Sequence, residues 1–113
     1  MVIRRVDDTT LRYMFNTLKC VERAEEGLLI AIIVDDRHPS APLAREPFCT
    51  HSQMISYLDR SGNEVARAHQ YLRPDNTIGL SGKPDPKRVF LNGTLYLLQL
   101  PNAQAGEGVS RKR

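Results

Sequence analysis

The amino-acid sequence predicts an α+β fold: one N-terminal amphipathic helix packed on a small, mostly antiparallel sheet of three to five strands, with a short helix before the last strand. Three observations predict it. Apolar residues recur at helical spacing near the N-terminus, a β-branched apolar run follows, and two alternating runs flank a tight-turn sequence.

"VIRRV" at 2–6 alternates weakly and reads as a short edge strand or an ordered lead-in. From Asp8 onward, Leu11, Met14, Phe15, Leu18, Cys20 and Val21 fall three and four apart, on one face of a helix. Asp7, Asp8, Thr9 and Thr10 offer caps at its start, and Gly27 offers a stop. "LLIAIIV" at 28–34 is apolar on both faces, which predicts a central strand covered on each side and ended by Asp35 and Asp36. The segment 36–47 carries three prolines and no period, so it is a long surface connection.

"QMISYLD" at 53–59 and "EVARAHQYL" at 64–72 both alternate, and "RSGN" between them has strong turn chemistry. An antiparallel hairpin follows. Its second strand puts Arg67, His69 and Tyr71 on one face, with Arg73 next in register, and the small apolar Ala66 and Ala68 on the other. After a loop comes "DPKRVFLNGTLYLLQL" at 85–100. Asp85 reads as a helix N-cap with Pro86 at the first helical position, giving a short helix 86–92 stopped by Asn92 and Gly93 before a last strand from Thr94 to Leu100. The rival is a tight hairpin turning at Asn92-Gly93.

A chain of 113 residues suits one domain with one core. The charge is unevenly placed: residues 103–113 carry a net +2, while residues 1–102, with 13 basic and 12 acidic groups, carry only +1. This predicts a nearly neutral globular domain over 1–102 and a flexible basic tail over 103–113. Two cysteines, an N-terminus without an apolar leader and no apolar run of membrane-spanning length predict a cytosolic protein with reduced thiols and no membrane contact.

The stretch "YLRPDNTIGLSGKPDPKR" at 71–88 concentrates three prolines, two glycines, two aspartates and four basic residues. It fails as a phosphate-binding loop, because Thr77 stands where the first glycine belongs and Pro84 follows Lys83. It fails as a nucleophile elbow because Lys83 stands two residues past Ser81. What it predicts is a loop of specified shape, with Asp75 as a turn residue and Asn76 able to take positive φ. The ligand-binding candidates are Arg67, Arg73, Gly79, Ser81, Gly82, Lys83, Lys87 and Arg88, cations and backbone amides suited to phosphate or carboxylate.

No cofactor or metal is expected. Cys49 and His51 lie two apart, with Cys20, His38 and His69 scattered, and none matches a paired metal-ligand spacing. His69 flanked by Tyr71, Arg73 and Lys83 is also the constellation of a metal-independent ribonuclease, the imidazole moving the 2′-hydroxyl proton and the cations steadying the phosphorane. Glu64, on the other parity of its strand, is not expected to join it.

The leading functional expectation is a small, non-enzymatic binding module of bacterial or phage type. Its surface would be the 67–73 strand face and the 73–88 loop, and its partner RNA, DNA or an acidic protein. The alternatives are a toxin-like endoribonuclease using His69, Tyr71, Arg73 and Lys83, and a protein–protein assembly module working through a sheet edge.

Overall fold

The computed structural model describes residues 1–38 and 45–99. The elements are β1 (Val2–Val6), α1 (Asp8–Thr17), α2 (Cys20–Glu25), β2 (Ile30–Arg37), β3 (His51–Leu58), β4 (Glu64–Leu72), β5 (Asp85–Leu91) and β6 (Thr94–Leu98). One six-stranded sheet in the order β1-β6-β5-β4-β3-β2 carries the helices on one face. The fold is α+β as expected. It has more strands than the expected three to five, and it is mixed, because β1 pairs parallel to β6 while all other neighbours are antiparallel.

The expected single helix is two. Asp7 caps α1, its Oδ1 accepting from the Thr10 amide at 2.8 Å, but the helical path breaks at Lys19, which takes a left-handed φ of 54°. Restarting at Cys20 keeps the apolar face on the sheet across the break: Leu11, Phe15 and Cys20 are all buried against Ile55, Tyr57, Ala66, Ala68 and Val89. The expected stop at Gly27 is present, with φ of 80° and its amide bonded to the Ala24 carbonyl. Burial pushes the Cys20 thiol up to about 11 and so makes it inert, whereas Cys49 is exposed.

Two sequence expectations are overturned. The apolar run 28–34 is not central: β2 is the sheet edge, it continues through Asp35 and Asp36 to Arg37, and Leu28, Ile30, Ile32, Ile33 and Val34 are all 43–53% exposed. Apolarity on both sides of a strand reads as two-sided cover, yet α1 lies over β5 and β6, at the other end of the sheet. The second correction is the short helix 86–92, which is strand β5. Asn92 and Gly93, with φ of 51° and 80°, make the hairpin turn into β6.

Pro86 fits inside β5 because it sits beside a bulge, where a missing amide breaks no regular ladder bond. There Arg67 pairs Arg88 while Ala68 pairs Pro86, leaving Lys87 as the extra residue. Val89, which pairs Ala66, is fully buried. Among the described residues no helix is long and apolar enough to cross a membrane. The expected basic tail and much of the 36–47 connection fall outside the described residues.

Candidate functional site

The sheet has two faces of different character. On the helix-bearing face β3 places Gln53, Ile55 and Tyr57, and β4 places Ala66 and Ala68. The open face carries Ser52 and Ser56 on β3, Arg67, His69 and Tyr71 on β4, and Asp85 and Arg88 on β5. The alternation read from the sequence thus puts Arg67, His69 and Tyr71 in one row, as expected.

Glu64 departs from its parity. Tyr57 pairs Ala66 but Leu58 pairs Glu64, so Val65 is an extra residue and the bulge returns Glu64 to the open face. There its carboxylate accepts from Arg67 Nε at 2.9 Å, from Arg88 Nε at 2.6 Å and from the Ser56 hydroxyl. Burial alone pushes the Glu64 carboxyl up. The hydrogen bonds from Arg88, Ser56 and Arg67 outweigh burial and hold it below its ordinary 4.5.

The loop 73–84 has the specified shape the sequence predicts. The Thr77 amide bonds Asp75 Oδ1 at 3.0 Å, Asn76 takes φ of 68°, and Ile78 bridges back to Leu72. A residue the sequence does not single out fastens this loop to the body. Glu46, 4% exposed, accepts from Arg73 Nε at 2.7 Å with one oxygen and from the Leu80 amide at 3.2 Å with the other. Gly79 packs so closely on that carboxylate that a Cβ there would collide with it, which is the physical reason for glycine at this place. The Arg73 bond holds the Glu46 carboxyl below its ordinary value despite burial.

Between this loop, β4 and α1 lies a cleft of about 150 Å³, lined by Arg12, His69, Tyr71, Gly79, Ser81, Lys83 and Asp85 among others. His69 Nε2 shares a 2.7 Å hydrogen bond with Ser52 Oγ, and its ring meets Tyr71 edge-on at 4.7 Å. Burial, reinforced by the charge of Lys87 and opposed by Asp85, holds the imidazole below its ordinary 6.5, so it is neutral at pH 7. Asp85, expected as a helix cap, is instead a strand residue opposite His69, with Arg12 Nη2 at 2.7 Å and Lys87 Nζ at 3.5 Å. Sequence spacing offered no signal for Arg12, which lies 73 residues from its partner.

Of the sequence candidates, the structure brings His69, Tyr71, Gly79, Ser81 and Lys83 to one cleft. It places Arg73 at the Glu46 clasp, Arg67 and Arg88 at Glu64, and Lys87 beside Asp85. The amides of Gly79 and Gly82 are taken by the carbonyls of Tyr71 and Gly79. Lys83 is the one basic candidate without an ion-pair partner among the described residues. No protein-family model, curated protein or solved structure matches the chain.

Proposed function

We propose that the chain is a non-enzymatic binding module that takes an anionic group of its partner, a phosphate or a carboxylate, into the cleft beside Lys83. The supporting observation is that Lys83 shares this cleft with His69, Tyr71 and Ser81, while Arg12 beside it is paired with Asp85 and Arg67, Arg73 and Arg88 are paired with Glu64 and Glu46. A volume of about 150 Å³ is below the usual small-ligand range and matches one such group rather than a whole ligand. Neutral His69 supplies a hydrogen-bonding edge, not charge, and Tyr71 supplies a ring beside it.

Fluorescence titration with labelled single-stranded RNA and with an acidic peptide, each at several salt concentrations, tests the proposal. Lys83→Glu is expected to weaken the probe that binds and to lower the salt slope by about one. Affinity for both probes unchanged by Lys83→Glu would overturn it. RNA cleavage that persists with EDTA and vanishes in His69→Ala would replace it with the ribonuclease reading.

A second reading, assembly of the chain with its own copies, is favoured by the apolar edge β2. Edge strands are ordinarily blunted by charge, proline or cover. Among the described residues Ile30, Ile32 and Ile33 have no charge, proline or cover within their own stretch, and the bulge at Val34 and the charges of Asp35, Asp36 and Arg37 come only after them. Sedimentation velocity is expected to show mass rising with concentration, little affected by salt, and Ile30→Lys with Ile32→Lys is expected to keep the chain monomeric. A wild type that stays monomeric throughout the micromolar range would remove this reading.

A further inference from the structure

We propose that Asp36, His38 and His51 form a binding site for one divalent transition-metal ion, zinc foremost, at the far end of the β2–β3 pair. One potential ligand atom from each of the three residues lies within 4.8 Å of the other two. The strand geometry produces this cluster. Asp36 and His38 are two residues apart along extended chain and so point to one side. Arg37 pairs Ser52, which brings His51 beside His38, and the two imidazole rings meet with centroids 3.5 Å apart.

Two imidazoles and a carboxylate are the donor set of borderline metals, whereas magnesium and calcium prefer oxygen ligands alone. Zinc bonds of about 2.0–2.2 Å put tetrahedral ligand atoms roughly 3.3–3.6 Å apart. The ligand atoms therefore need to close by at most about 1.2–1.5 Å while the two imidazole rings turn apart, and the exposed His38 has the freedom to do so. Three protein ligands leave a fourth position open to water or to a ligand group.

The carboxylate is held in place by buried protein groups. Asp36 Oδ2 accepts from Gln53 Nε2 at 3.2 Å, and Gln53 Oε1 in turn accepts from Gln70 Nε2 at 2.9 Å. Gln53 is 3% exposed and Gln70 is half-buried, so an amide row on β3 and β4 orients the carboxylate oxygen on β2. Metal sites depend on such outer partners to fix their ligands. The 2.8 Å contact between His51 Nδ1 and Asp36 Oδ1 accounts for two members of the cluster as a hydrogen-bonded pair. It does not account for the second imidazole.

The test is titration of the full-length chain with zinc against a chromogenic chelator, together with the visible absorption of its cobalt complex. One ion per chain is expected. His38→Gln and His51→Gln are each expected to weaken binding by at least about tenfold, and Gln53→Ala by about tenfold through loss of orientation. A zinc-dependent rise in melting temperature is expected in the wild type and not in the double histidine variant. His38→Gln changes an exposed side chain, so a folded variant is available whatever His51→Gln does. Failure to form a one-to-one complex, or a double variant that binds zinc as tightly as the wild type, overturns the proposal.

Discussion

Leu11→Ala is expected to cost the fold about 2–5 kcal/mol, the range for removing a fully buried leucine side chain. Leu11 is completely buried, and nine of the described residues make up the buried apolar core. Three of these, Cys20, Ala66 and Ala68, are small, so the burden falls on Leu11, Phe15, Leu29, Ile55, Tyr57 and Val89. Single domains of this kind are held by roughly 5–15 kcal/mol, so the loss is a large part of the total. Urea unfolding followed by circular dichroism measures it, as a lower midpoint at unchanged slope. A change below about 0.5 kcal/mol, the level of an ordinary surface substitution, would mean that α1 does not dock on the sheet through this residue.

Glu64→Gln is expected to have two effects of opposite kind. Its carboxylate serves Arg67, Arg88 and Ser56 together, and a glutamine has one acceptor oxygen and turns an NH₂ toward a guanidinium. The expected loss of stability is about 1–3 kcal/mol, as for a part-buried polar group left without its partner. The pH dependence follows from the depressed carboxyl. The unfolded chain binds the proton more readily, so the Glu64 contribution is fully present above about 4.5 and is lost as pH falls through the lower folded value. The glutamine variant should lack this component of acid denaturation. Released from Glu64, Arg67 and Arg88 add two cations to the open face, so affinity for single-stranded RNA is expected to rise and its salt slope to steepen by about one to two. A variant with wild-type acid stability and an unchanged salt slope would show that Glu64 does not hold the two arginines.

What the sequence by itself determined are the features whose cause lies within a few residues. The face formed by Leu11 and Phe15, the cap at Asp7, the stop at Gly27, the hairpin around 60–63, the row of Arg67, His69 and Tyr71 and the positive φ at Asn76 each follow from local periodicity or turn chemistry. Residues 73–84 of the 71–88 stretch were legible as a shaped loop for the same reason. Which of its basic residues remain available was not legible, because Glu46 and Glu64 reach Arg73, Arg67 and Arg88 by folding and not by spacing.

Tertiary structure alone decided the rest. The run 28–34 looks the same on an edge as in the centre of a sheet, since strand order is set by which distant segments pair. Asp85-Pro86 signals a helix start locally, but pairing with β4 and β6 on both sides satisfies more of the backbone than one or two helical turns. Bulges at Val65 and Lys87 reset the parity that any reading of alternation assumes, and so moved Glu64 to the open face. The meeting of Asp36 and His38 with His51 depends on the register of β2 against β3, and hydrogen-bonded register is a property of two strands together that neither strand's own sequence contains.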